Sequence, residues 1–148
     1  NAQVNASSSG YHSIQKYKDV DCVVINETEL RQELRDKNEK LEVLIKKLTK
    51  MIGINNLVIT RGSNGAILYS SKDKKYFYCP AFASKVVDKV GAGDTMLSIM
   101  SILIKSKFKN TISLFLGSLA GAMSVEGMAN KFLIKKIKLL KYFNHILQ

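Results

Sequence analysis

The chain has 148 residues, 46% hydrophobic and 24% charged, which suits one globular domain with its own core and excludes a disordered segment. It contains no apolar run of about 18 residues and no basic stretch followed by an apolar one at its start, so neither a membrane span nor a signal peptide is expected. Its net charge of +11 raises nucleic acid and anionic membranes as partners. The lysines, however, are spread over 16–50, 72–75, 105–109 and 131–141, as on solvated helix faces and loops. No zinc knuckle, RNA-reading aromatic pattern or basic readout helix accompanies them, so no nucleic acid and no membrane is expected as a partner. A basic rim that attracts phosphate compounds is the simpler reading. Cys22 and Cys79 lie far apart without metal-ligand spacing and read as small buried hydrophobes. With neither a membrane span nor a signal peptide expected, a cytoplasmic protein is the default, and the start at Asn1 and not at Met leads us to expect a piece of a longer polypeptide.

In chain order, the alternation of Asn1, Gln3 and Asn5 with Ala2, Val4 and Ala6 predicts a strand, and Ser7, Ser8, Ser9 and Gly10 a turn. Residues 11–17 suit a short helix. The run 21–25, Asp-Cys-Val-Val-Ile, has the length and apolarity of a buried parallel strand, and Asn26 after it is a good N-cap for a helix. Leu41, Leu44, Ile45, Leu48, Met51 and Ile52 recur at helical spacing, predicting a helix over 40–52 with Lys46, Lys47 and Lys50 outward and Gly53 as its C-cap. A second buried strand over 56–60 follows. Strand, helix, strand implies a parallel pair joined by a right-handed crossover, with ligands beyond the C-terminal strand ends, where Asn26, Thr60 and Asp94 are expected.

Residues 66–70 and 75–79 flank the polar segment 71–74 and read as an antiparallel hairpin at the sheet edge, with a basic tip. The β-branched pair Val86-Val87 leads into Asp88-Lys89-Val90-Gly91-Ala92-Gly93-Asp94-Thr95. From Gly91 an apolar helix begins, with Met96, Leu97, Ile99, Met100, Leu103 and Ile104 on more than one side, and burial is expected all round. A second such helix spans about 111–125, where Gly117, Ala120, Gly121 and Ala122 allow close packing. An amphipathic helix over 132–147 ends the chain.

The 88–95 stretch carries the most specific chemistry. Two glycines separated by one small residue let the backbone turn tightly and approach a ligand. At a helix start the N–H groups lack intrahelical partners, and with the helix dipole they favour an anion. Asp94 at the mouth of such a cradle is badly placed to hold phosphate itself, because like charges repel. It is well placed to take a proton from an attacking hydroxyl.

These residues resemble the second signature of the ribokinase-like (PfkB) sugar kinases, D-T-x-G-A-G-D, with Lys89 where Thr is commonest. The resemblance implies that Gly91, Ala92 and Gly93 form the anion hole for the transferred phosphoryl group, that Asp94 is the base, and that Asp88 contributes to a monovalent-cation site. Asn26 and Glu29 resemble the family's N-x-x-E motif, whose Glu acts through water on Mg²⁺; the same spacing also describes helix capping, in which neither residue touches substrate. The downstream signature tips that pair toward catalysis. Thr60, Arg61, Gly62 and Gly65 resemble the T-x-G-x-x-G turn that lies along the nucleotide, although hairpins use such glycines for geometry alone. Ser118 stands where ribokinases commonly have Asn near the adenine pocket, in a helix whose run 120–125 is also similar to theirs.

The expectation is thus a three-layer α/β/α ribokinase-like fold with a mostly parallel sheet and an edge hairpin, acting as an ATP-dependent, Mg²⁺-dependent kinase of a sugar or sugar phosphate. The family leaves room for a monovalent cation and for a homodimer. Residues 1–5, the short helix over 11–17 and Arg61 are similar to the sugar-kinase domain of ADP-heptose synthases, which points to heptose or lipopolysaccharide precursors. The resemblance covers only the C-terminal half of a typical member, over residues 1–148. Most sugar contacts belong to the other half, so the chain is expected to hold the nucleotide side and the base.

Overall fold

The structure, a computed structural model, describes residues 13–83, 86–88, 90–126 and 136–146. The strand and turn expected over 1–10, and Lys89, lie outside them. A single 3-10 turn, Ile14–Lys16, stands within the segment expected to form a short helix. Then follow β1 (Cys22–Asn26), α1 (Glu27–Leu34), α2 (Leu41–Ile52), β2 (Asn56–Thr60), β3 (Ala66–Ser70), β4 (Lys75–Cys79), α3 (Ala92–Lys105), α4 (Asn110–Val125) and α5 (Lys136–Ile146).

The four strands form one sheet in the order β1-β2-β3-β4. The parallel part is the β1–β2 pair, in which Asn26 lies opposite Thr60, and the edge hairpin adds antiparallel pairings of β2 with β3 and β3 with β4. Alternate residues of each strand enter separate cores. Val23, Ile25, Leu57, Ile59, Ile67 and Tyr69 meet Leu30 of α1 and Leu44, Ile45, Leu48 and Ile52 of α2. Val24, Val58, Ala66 and Leu68 meet Met96 and Met100 of α3 and Leu114 of α4 on the opposite face. Burial on both faces explains why these strands read as continuous apolar runs, without alternation. The three-layer α/β/α expectation holds.

Local signals translate closely. Gly53 ends α2 in the left-handed region at φ 67, where glycine has no Cβ penalty. Met51, expected on the apolar stripe, is 47% exposed, because it lies on the stripe's margin in the last turn of α2. Val86 and Val87 belong to no strand and are both exposed. Burial also pushes the Cys22 thiol up to about 12, helped by the Asp21 charge, which fits an inert cysteine packed, partly buried, against the core.

Helix α3 departs from its expectation of all-round burial. Only Met96 and Met100 are buried, while Leu97 and Ile104 are partly covered and Ile102 is 64% exposed. Among the described residues α3 packs chiefly on α4 and β1, so its other side faces solvent. The α3–α4 contact is close, since a Cβ added at Gly117 would lie 2.5 Å from Met100 Cγ. Farther along α4, a Cβ on Gly121 would sit 3.4 Å from the Ala92 carbonyl oxygen, so this helix sets where the N-terminus of α3 stands.

Candidate active site

The first part of the site is the entry into α3. Gly91 is its N-cap at φ 82, ψ −4, a left-handed conformation that a Cβ would penalise. The first α-helical bond there runs from Thr95 N–H to Gly91 C=O at 2.9 Å, so the amides of Ala92 and Gly93 precede the helical ladder. No side chain caps this end. A Cβ built on Gly93 meets nothing within 4 Å, which leaves open space next to these donors. Asp94, in the first turn, is exposed. An uncapped, unobstructed helix N-terminus with a carboxylate on its first turn can hold an anion and accept a proton beside it.

The approach loop is anchored by a group the sequence did not reveal. The Val125 carbonyl, at the last residue of α4, accepts the N–H groups of Val87 at 2.8 Å and Asp88 at 3.1 Å. The Asp88 carboxylate accepts the Val90 N–H at 2.9 Å, closing a turn just before Gly91. A helix C-terminal carbonyl has no helical donor of its own, so it serves as an acceptor for the loop. Backbone anchors of this kind have no residue signature.

The second part lies at the C-terminal ends of β1 and β2. Asn26 Oδ1 accepts the Glu29 N–H at 2.8 Å and Glu29 Oε2 accepts the Asn26 N–H at 2.8 Å, a reciprocal capping box. The capping reading of this pair is therefore realised, and it leaves Glu29 Oε1 and Asn26 Nδ2 outside the box. Beyond Thr60 the chain turns through Gly62–Asn64; Arg61 N–H donates to the Gly65 carbonyl at 2.8 Å, and Gly62 and Gly65 both take positive φ. Gly65 is enclosed, since a Cβ there would fall 2.0 Å from the Cys79 carbonyl oxygen.

Arg61 is held by Glu27, whose Oε2 accepts from Arg61 Nε at 3.1 Å, while its Oε1 accepts from Arg31 Nε at 3.0 Å. Partial burial pushes the Glu27 carboxyl up, but hydrogen bonds and charge from Arg31 and Arg61 outweigh it and keep the group below the usual glutamate range. Glu27 went unmarked in the sequence. Its only signal is register: Asn26 pairs with Thr60, so the next residues, Glu27 and Arg61, emerge side by side. Ser118 lies on α4 with its hydroxyl oxygen buried beside the Cys79 thiol, which burial pushes up.

An oxygen-donor metal such as Mg²⁺ fits these residues in one way. Glu29 Oε1, left outside the capping box, is a carboxylate oxygen that would hold such an ion, directly or through water; among the described residues no three His, Cys, Asp or Glu side chains cluster as ligands. No helix among the described residues is long and apolar enough to cross a membrane.

Comparison with known proteins gives the family and the fold. The family description "pfkB family carbohydrate kinase" matches residues 3–132. Two relatives named bifunctional protein HldE are similar over part of the chain. That of Desulfatibacillum aliphaticivorans is 34% identical over 91 residues, 59% of this chain and 18% of the relative. That of Marinomonas sp. is 37% identical over 70 residues, 47% of this chain and 14% of the relative. Among solved structures, Arabidopsis thaliana ribokinase complexed with ribose and ATP superposes with a TM-score of 0.70 at 23% identity, over 82% of this chain and 40% of that one. Phosphofructokinase-2 of Escherichia coli in complex with potassium gives 0.74 at 16% identity, over 88% of this chain and 42% of that one. The chain thus spans less than half the length of the proteins it matches, with the ribokinase fold over most of its own length. It belongs to the pfkB family of carbohydrate kinases.

Proposed function

We propose that this chain is the nucleotide-binding and catalytic C-terminal part of an ATP-dependent kinase that phosphorylates a hydroxyl of a sugar or sugar phosphate. The observation that carries this reading is the uncapped start of α3, entered through left-handed Gly91, with open space at Gly93 and Asp94 on the first turn. The Asp94 carboxylate takes the hydroxyl proton as the oxygen attacks the γ-phosphorus. The bond from that phosphorus to the ADP oxygen then breaks, and the amides of 91–93 stabilise the transferring group. Thr60, Arg61, Gly62 and Gly65 lie along the nucleotide and Ser118 borders its base. Asn26 and Glu29 would hold Mg²⁺ through water, and the ion would supply charge neutralisation on the phosphates; Asp88 would contribute to a monovalent-cation site. The HldE relatives and the sequence resemblance to ADP-heptose synthases favour an acceptor of heptose or lipopolysaccharide precursor synthesis. We place the reaction in the cytoplasm, where ATP is available.

A second reading, a nucleotide-binding module without turnover, is favoured by one observation: Asn26 and Glu29 close on each other in the capping box. The two readings share a nucleotide site and differ in catalysis.

Calorimetry with Mg²⁺ and a non-hydrolysable ATP analogue tests the shared site. The chain is expected to bind saturably. The Gly93→Asp variant is expected to lose on the order of 100-fold in affinity, from a like charge against phosphate, with little change in Tm because its side chain enters open space. Absence of binding by the folded chain overturns the proposal. The chain alone is expected to phosphorylate no sugar appreciably, since the positioning that missing sugar contacts supply is worth about 7–11 kcal/mol in favourable intramolecular models. Robust turnover by the purified 148-residue chain contradicts that expectation.

A further inference from the structure

Arg61 and Glu27 sit one residue beyond the paired strand ends, where ligands of parallel α/β sheets bind. Their side chains are about one-third exposed, at 31% and 30%. The Glu27 carboxylate is shared completely between two guanidinium groups: Oε1 takes Arg31 through Nε and Nη2, at 3.0 and 2.9 Å, and Oε2 takes Arg61 Nε at 3.1 Å. Arg31 is nearly saturated in turn: its Nη1 donates to the carbonyls of Lys37 and Glu39 at 3.1 and 3.0 Å, so four of its five N–H donors are engaged.

Arg61 is the unsaturated member. Among the described residues no hydrogen bond or ion pair engages its Nη1 or Nη2. A guanidinium offers five N–H donors in a rigid plane. Fixing Nε therefore fixes the plane and the direction of the four remaining donors, and most of the side chain's rotamer freedom is lost before a ligand arrives. One carboxylate between two guanidiniums leaves the trio at a net +1, a charge suited to a phosphate or another anionic group.

From this we infer that Glu27 is a positioning residue of the nucleotide site, holding the Arg61 guanidinium by its Nε so that Nη1 and Nη2 are presented to a phosphate group of the nucleotide. The inference rests on the reading of the Thr60–Gly65 turn as nucleotide-binding, and deepens it. It also separates two effects of Glu27. As a negative charge near a polyanion it weakens attraction, while as an anchor it orders the donors that receive the anion.

The test measures binding of the Mg²⁺ complex of a non-hydrolysable ATP analogue, and of adenosine, to the chain and to Glu27→Gln, Arg61→Lys and the double variant, with Tm recorded for each. Each single variant is expected to lose about three- to ten-fold in affinity for the triphosphate, the range for a partly exposed charged hydrogen bond. Adenosine affinity is expected to stay unchanged, and the double variant to be no worse than either single one. Arg61→Lys keeps the charge but lacks the fork, so it carries the test even if Glu27→Gln folds poorly. Glu27→Gln binding the triphosphate as well as or better than the parent overturns the inference, as do additive losses or an equal loss of adenosine. Failure of the parent chain to bind any nucleotide overturns the reading of the site as well, an outcome distinct from a binding parent with indifferent variants.

Discussion

Asp94→Asn is expected to reduce phosphoryl transfer by about 10²- to 10⁴-fold, the range for removing a positioned general base, while nucleotide affinity stays near that of the parent. The amide keeps the size of the carboxylate and stands on the first turn of α3 without altering Gly91 or the open space at Gly93. What it lacks is the ability to accept a proton. The effect therefore falls on kcat and leaves the KM for ATP largely alone, a split that a damaged fold would not give. The assay belongs in a polypeptide that pairs this chain with the remainder of a family member, because the chain spans only 40% and 42% of the ribokinase and phosphofructokinase-2 structures it resembles. A variant with near-parental kcat removes Asp94 from the role of base and moves the non-catalytic reading ahead.

Gly65→Ala is expected to destabilise the chain by about 3 kcal/mol or more, combining backbone strain at a glycine-only conformation with overpacking. Gly65 has φ 76 and ψ −140, and its new Cβ would lie 2.0 Å from the Cys79 carbonyl oxygen and 2.8 Å from the Pro80 carbonyl carbon. Neither atom belongs to a side chain that could rotate away, so the turn after β2 or the end of β4 must move. For a chain of this size the loss corresponds to a fall in Tm on the order of 10 °C. Gly62→Ala is the matched control: Gly62 also has positive φ, at 57, but a Cβ there meets nothing within 4 Å. Its cost is limited to strain, about 1–2 kcal/mol. Equal melting temperatures for the two variants contradict the enclosed placement of Gly65.

The two glycines also show where local reading stops. Both were legible as turn residues, because a glycine-rich segment between two apolar runs needs positive φ whatever surrounds it. That one is enclosed and the other open depends on β4 pairing with β3, which sets Cys79 opposite Ala66 and so beside Gly65. Asn26 and Glu29 illustrate the same limit: their spacing allowed a capping box or a free carboxylate, and the box formed because the carboxylate satisfies a helix-end donor close at hand. Arg61 was legible as a charge at the strand end, whereas its partner Glu27 required the parallel register. Helix α3 was legible as apolar and misleading as to burial, since composition reports what a side chain prefers and not whether a neighbour is present to cover it.

By itself the sequence determined the elements whose causes are local: β2, β3 and β4 from apolar runs of strand length, α2 from its stripe and Gly53 cap, and the start of α3 from Gly91. It also determined the family, because the glycine and aspartate of 91–94 follow Asn26, Glu29 and the Thr60–Gly65 turn in order. Only the tertiary structure decided which groups hold these residues in place: the Val125 carbonyl on the approach loop, Glu27 on Arg61, and Gly121 of α4 against Ala92. Those contacts join residues distant along the chain and two of them use backbone atoms, which every residue possesses alike. The physical reason is that a local conformation is written in side-chain identity, whereas a long-range contact depends on register and packing distance.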